Sequence, residues 1–132
     1  MSKVGRAIKI LLVDDEPEVA EVIELMLIQL GHQVLALNDG RRALEAFSST
    51  VYDLVITDLH MPGLSGQELA RAVKERKPGT PVLMITGWGL QVDVSKMSGD
   101  RVIAKPVTKE VLAREVAALT APGPPGTGCQ FG

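Results

Sequence analysis

Cysteine is almost absent from this chain of 132 residues, and aromatic residues make up only 3% of it. The single cysteine, Cys129, has no partner for an internal disulfide bond and lies in a Gly/Pro-rich segment. A fold held together by disulfides is therefore excluded, and the composition fits the reducing conditions of the cytosol. With so few aromatic side chains, the core must be built from Val, Leu, Ile and Ala.

Long apolar runs and clusters of basic charge are also missing. Every apolar run falls well short of the ~20 residues that a membrane-spanning helix needs, and residues 1–7 lack the apolar core of a signal peptide. The net charge is −2, with Lys and Arg scattered along the chain, which argues against binding nucleic acid by neutralising phosphates. We expect a soluble, cytoplasmic protein, or the soluble part of a larger one, without direct contact to nucleic acid or membrane.

Short apolar segments alternate along the chain with segments of helical periodicity. The predicted strands are Ile8–Val13, Gln33–Leu37, Asp53–Thr57, Pro81–Thr86 and Arg101–Ala104. The predicted helices are Pro17–Leu30, Arg41–Ser48, Ser65–Lys77, Leu90–Met97 and Thr108–Leu119. The fourth helix has weak helix propensity, so we expect it to be short, distorted or mobile.

This alternation predicts an α/β fold in which a parallel five-stranded sheet carries helices on both faces. A chain of this length forms one domain, which we assign to residues 1–121, with a flexible Pro/Gly-rich tail at 122–132. In such sheets, ligands bind beyond the carboxyl ends of the strands. The residues that follow the strands are therefore the candidates for function.

Polar residues suited to phosphoryl chemistry stand at four of these strand ends. Asp14 and Asp15 follow the first strand, Asp58 follows the third, Thr86 ends the fourth and Lys105 follows the fifth. Each alone is common in turns, and Asp15 could simply cap the helix that follows it. Because the carboxyl ends of parallel strands meet at one edge of the sheet, all five together predict an acidic pocket with a nucleophile inside it.

Neighbouring carboxylates repel one another unless a cation neutralises them or some stay protonated. All-oxygen ligands suit Mg²⁺, whereas the two histidines and one cysteine form no cluster for zinc. His32 follows the helix-ending Gly31, and we expect it at the surface. The backbone carbonyl of His60 is a further candidate ligand. Asp58 follows the central strand and precedes a Pro-Gly loop, so it is the candidate for attack on phosphorus, forming an aspartyl phosphate. A bound cation, Thr86 and Lys105 would then neutralise the phosphoryl oxygens.

These segments together resemble the receiver domain of two-component response regulators. The motifs that carry the resemblance are LVDDEP at Leu12–Pro17, DLVITDLHMPG at Asp53–Gly63, VLMITG at Val82–Gly87, and Lys105-Pro106. The resemblance covers about Ala7 to Leu119. It implies a flavodoxin-like (βα)5 three-layer fold with strand order 2-1-3-4-5.

The resemblance also implies a reaction. Asp58 would accept a phosphoryl group from a sensor histidine kinase or phosphotransfer protein in a Mg²⁺-dependent step. Asp15 and Asp58 would bind the metal directly, Asp14 would bind it through water, and the carbonyl of His60 would complete the protein ligands. The chain would then be a phosphoprotein of a phosphorelay rather than an enzyme, although it would catalyse its own phosphorylation and dephosphorylation.

After phosphorylation, the resemblance implies that Thr86 hydrogen-bonds the phosphoryl group and that Lys105 pairs with it. The altered surface would engage a downstream protein target or a second copy of the chain. Family members usually carry Tyr or Phe three residues before the lysine, where this chain has Val102, so the aromatic part of the switch is absent or replaced. Trp88, two residues after Thr86, is a candidate gate over the phosphoryl site or an anchor for a partner.

Two other readings stay open on the sequence alone. A pseudo-receiver would use the same fold for docking without phosphorylation, and Val102 gives this reading some support. A phosphatase with an aspartyl nucleophile is disfavoured, because such enzymes commonly need a second acid two residues after the nucleophile, where this chain has His60. The complete set of acids, hydroxyl and lysine favours the phosphoacceptor.

Overall fold

The computed structural model describes residues 7–87 and 100–120 of the chain. Its strands are Lys9–Val13 (β1), Gln33–Leu37 (β2), Leu54–Asp58 (β3), Val82–Thr86 (β4) and Arg101–Ala104 (β5). Its helices within those ranges are Pro17–Gln29 (α1), Gly40–Ser49 (α2), Gly66–Arg76 (α3) and Lys109–Thr120 (α4). The predicted helix at Leu90–Met97, the candidate gate Trp88 and the tail at 122–132 lie outside the described residues.

The five strands form one parallel sheet in the order β2-β1-β3-β4-β5. This is the predicted flavodoxin-like order, and it places β1 and β3 in the interior of the sheet. The register aligns the carboxyl ends of neighbouring strands, with Val13 opposite Thr57 and Asp58 opposite Ile85. Residues that follow these strands are therefore held along a single edge.

Two apolar clusters fill the space on either side of the sheet. Alternate strand residues point to opposite faces, so Leu11 and Val55 join the cluster under α2 and α3, while Ile10 and Ile56 join the one under α1 and α4. Strands β3 and β4 are buried along their whole length, as expected for a parallel sheet covered on both faces. None of the helices in the described ranges is long and apolar enough to cross a membrane.

Local signals in the sequence explain where the helices begin and end. Pro17 occupies the start of α1, where its missing N–H costs nothing, and Gly31 follows the helix with φ of 99°. The Asp39 side chain caps α2 by accepting the Arg42 N–H. Ser65 caps α3 in a full capping box.

Two local predictions need correction. Strand β3 begins and ends one residue later than predicted, so Asp58 is part of the strand rather than the first residue after it. His32, expected at the surface, is half-buried, and its Nδ1 accepts a hydrogen bond from the Ile8 N–H at 3.2 Å. Burial lowers the pKa of His32.

Gly66 allows α3 to begin against the end of β3. A Cβ atom at this position would lie 2.0 Å from the Asp58 carbonyl oxygen and 2.9 Å from the Leu59 Cα. The Gly66 N–H donates to the Leu59 carbonyl at 3.0 Å. This close contact of main chains fixes the start of α3 beside Asp58, and only glycine fits there without a backbone shift.

Replacing Gly66 with Ala should therefore force α3 away from β3 and lower the free energy of unfolding by about 1 to 3 kcal/mol, the usual cost of overpacking. Urea denaturation measures this loss. The matched control is Gly79→Ala, because a Cβ at Gly79 meets nothing within 4 Å, and its effect should stay within ~1 kcal/mol. Equal losses in the two variants would contradict this account of Gly66.

Candidate functional site

The carboxyl edge of the sheet brings together side chains from three strand ends. Asp14 follows β1, Asp58 ends β3, and Lys105 follows β5. The Lys105 Nζ lies 3.6 Å from Asp58 Oδ2 and 3.7 Å from Asp14 Oδ2. Two acids and one ammonium group from distant parts of the chain thus share one site.

Asp58 is only 5% exposed, and its environment disfavours the charged carboxylate. Burial and the charges of Asp14 and Asp15 raise the pKa of Asp58 to about 6. Lys105 and a hydrogen bond from the His60 backbone N–H act in the opposite direction but do not cancel the increase. The carboxylate is therefore ionised at pH 7 at an energetic cost.

Asp14 is still less exposed, at 1%. Its Oδ1 accepts the Glu16 N–H at 2.9 Å, and burial is the main cause that raises the pKa of Asp14. Its Oδ2 and the Thr86 Oγ1 are buried without a hydrogen-bond partner among the described residues. Buried polar atoms almost always have partners, so these two atoms indicate a site that a ligand completes.

Lys105 is held by a residue that the sequence analysis did not select. Its Nζ donates to Glu16 Oε1 at 2.8 Å, and Glu16 directly follows the two predicted acids. Burial lowers the pKa of Lys105, but the hydrogen bond to Glu16 and the charges of Asp14 and Asp58 outweigh it, so the pKa is raised. The Lys105–Pro106 peptide bond is cis.

Three carboxylates in this part of the structure are arranged like metal ligands. Oxygen atoms of Asp14, Glu16 and Asp58 all lie within 4.8 Å of one another. This all-oxygen donor set and the unpartnered Asp14 Oδ2 fit a hard cation such as Mg²⁺. Asp15 is half-buried and lies outside this set of three, although its charge acts on both Asp14 and Asp58.

The remaining candidates occupy different surroundings. The interpretation of Asp15 as a helix cap is wrong, because Glu16 is the N-cap residue of α1 and makes no side-chain capping bond. Thr86 ends β4, and its carbonyl accepts the Lys105 N–H at 3.0 Å. His60 is exposed. Val102 is half-buried in β5 and packs against the apolar cluster under α2 and α3.

The raised pKa of Asp58 predicts a pH-dependent cost to stability. The ordinary pKa is 3.8, and the folded value is about 6. The folded state thus binds the proton more tightly, and stability falls as the pH rises through this window. In buffer without divalent cations, Asp58→Asn should raise the free energy of unfolding at pH 7.5 by about 1 to 3 kcal/mol, and the gain should vanish near pH 4.

Urea denaturation of both proteins across this pH range measures the difference. Glu75→Gln, a change at an exposed carboxylate of α3, is the control and should show no comparable gain. A gain for Asp58→Asn that stays constant down to pH 4 would show that ionisation is not its cause.

Comparison with known proteins gives a consistent result. The family model of the response regulator receiver domain matches residues 10–117. Over 120 residues the chain is 33% identical to the transcriptional regulatory protein TcrA of Mycobacterium tuberculosis. The aligned region covers 89% of this chain and 47% of TcrA. The chain is 36% identical to the regulatory protein VanR of Enterococcus faecium over 117 residues, or 84% of this chain and 49% of VanR. The chain spans about half the length of these curated relatives.

Solved structures agree with the sequence comparison. The response regulator TrrA of Thermotoga maritima, solved in complex with Mg²⁺ and BeF, superimposes with a TM-score of 0.77 at 33% identity, covering 84% of this chain and 97% of that one. The receiver domain of a signal transduction histidine kinase from Syntrophus aciditrophicus gives a TM-score of 0.79 at 33% identity, covering 87% and 91%.

Proposed function

Because this chain belongs to the response regulator receiver domain family, we propose that it is a phosphoacceptor, with Asp58 taking a phosphoryl group from a sensor histidine kinase or phosphotransfer protein. The observation that supports this most directly is the ion pair of 3.6 Å between Asp58 and Lys105 at the carboxyl edge of the sheet. It joins a nucleophile to a cation that can neutralise the incoming group.

In the proposed reaction, an Asp58 carboxylate oxygen attacks phosphorus and forms an acyl phosphate. The bond between phosphorus and the donor nitrogen breaks, and its electron pair stays on that nitrogen. The chain contributes alignment and positive charge. Lys105 neutralises a phosphoryl oxygen, and Thr86, whose Oγ1 has no hydrogen-bond partner among the described residues, donates a hydrogen bond to another.

The proposed metal ligands are Asp14, Asp15, Asp58 and the backbone carbonyl of His60, with Asp14 binding through water. Mg²⁺, when bound, supplies positive charge that offsets the acids and the phosphoryl oxygens. The close carboxylates of Asp14 and Asp58 and the unpartnered Asp14 Oδ2 support a cation at this site. So does the relative TrrA, whose structure was solved as a complex with Mg²⁺ and BeF.

The proposed output is a change in protein binding. A phosphoryl group adds about −1.5 to −2 units of charge and new acceptor oxygens, which biases an existing equilibrium between two surface arrangements. The recipient is a downstream protein or a second copy of the chain. The chain itself acts in the cytoplasm and makes no direct contact with nucleic acid or membrane. Val102 replaces the usual aromatic residue in this switch, and Trp88 is proposed as its gate.

Incubation with acetyl phosphate, with and without Mg²⁺, followed by intact-mass measurement, tests the proposal. The wild-type protein should gain the mass of one phosphoryl group only when Mg²⁺ is present. Asp58→Asn should gain none, and Lys105→Gln should react at least ~10-fold more slowly, because it lacks a charge that stabilises the transition state.

The matched control is Asp53→Asn, which changes an exposed aspartate directly before the opposite end of the same strand and should leave phosphorylation intact. Phosphorylation that persists in Asp58→Asn would refute the assignment of the acceptor. A wild-type protein that gains no phosphoryl group under any of these conditions would favour the docking module instead.

A further inference from the structure

The Glu16 side chain contacts Lys105, whereas the Glu16 backbone makes hydrogen bonds at the start of α1. The backbone N–H donates to Asp14 Oδ1 at 2.9 Å, and the backbone carbonyl accepts the Ala20 N–H at 3.0 Å. Although Glu16 is the N-cap residue of α1, its side chain makes no capping hydrogen bond. Among the residues that the structure describes, the hydrogen-bond partner of this carboxylate is Lys105.

Of the three acidic side chains near Lys105, Glu16 is the closest to its ammonium group. The separation from Glu16 is 2.8 Å, a hydrogen-bond length, whereas those from Asp58 and Asp14 are 3.6 and 3.7 Å. The Lys105 side chain is 16% exposed, and that of Glu16 is 59% exposed. Lys105 is thus held from the solvent side of the site, slightly beyond hydrogen-bond reach of the proposed acceptor.

We propose that Glu16 is a positioning residue that holds Lys105 before phosphorylation and releases it to the phosphoryl group afterwards. This inference rests on the proposed function. A phosphoryl group on Asp58 carries more negative charge than a carboxylate and offers three acceptor oxygens. The Glu16–Lys105 pair is partly exposed to water and therefore weak, so the ammonium group exchanges its partner through a short movement.

Glu16 then has a definable effect on the equilibrium. Its hydrogen bond stabilises the unphosphorylated state and is lost in the phosphorylated one. Removing the carboxylate should therefore favour the state in which Lys105 contacts the phosphoryl group. A different role, that of a direct cation ligand, is suggested by the position of Glu16 near Asp14 and Asp58, and it makes the opposite prediction.

The resting contact can be tested without any phosphoryl group. In a held lysine, the two ε-hydrogens have different environments and separate NMR shifts. We expect two such resonances for Lys105, assigned by their loss in Lys105→Arg, to merge in Glu16→Gln and to stay separate in Glu18→Gln. Glu18 is a matched control, because it is an exposed acid in the first turn of the same helix. Unchanged Lys105 signals in Glu16→Gln would overturn the inference.

The release step can be tested with beryllofluoride, a mimic of the phosphoryl group, at saturating Mg²⁺. Glu16→Gln should bind it about 2- to 10-fold more tightly than wild type, the range expected when one competing charge-assisted hydrogen bond is weakened to a neutral one. Glu18→Gln should differ from wild type by less than about 2-fold. In a Lys105→Gln background, Glu16→Gln should have no further effect, because Glu16 acts through Lys105.

The remaining outcomes separate the competing explanations. Weaker binding by Glu16→Gln, together with a higher Mg²⁺ requirement, would identify Glu16 as a cation ligand and overturn the inference. Equal effects of the Glu16 and Glu18 variants would show that only general charge matters and would overturn it as well. A wild-type protein that binds no beryllofluoride would overturn the proposed function itself, and this inference with it.

Discussion

The crowding of negative charge at the edge of a buried sheet is the constraint on which this structure depends. The fold places Asp14 and Asp58 where almost no water reaches them, and the charge of Asp14 adds to the cost of ionising Asp58. Lys105 offsets part of that cost but carries one charge against several. This excess of negative charge favours the binding of a cation. Such a local cost to stability is expected at a functional site.

The sheet itself was predictable because its interior strands are uninterrupted apolar runs. β3 and β4 are buried on both faces, and apolar runs this short favour strands because helices are usually longer. The exact bounds of β3 were not predictable. They depend on main-chain pairing with β4, which continues through Asp58 and leaves no trace in residue type.

The meeting of acids and lysine at one edge was also predictable, because the topology alone brings the ends of parallel strands together. The partner of Lys105 was not. Glu16 and Lys105 are 89 positions apart, and the choice among three nearby carboxylates depends on side-chain geometry. For the same reason, neither the hydrogen bond from Ile8 to His32 nor the contact of Gly66 with the Asp58 backbone follows from a sequence pattern.

The main-chain hydrogen bond between Lys105 and Thr86 links the two residues proposed to contact the phosphoryl group. A hydrogen bond between backbone atoms is made by groups that nearly every residue carries. A displacement of the end of β4 would therefore also move Lys105, which follows β5, whether position 102 holds an aromatic residue or valine. Evolution can accordingly change the side chain at position 102 while the backbone bond still joins Thr86 to Lys105.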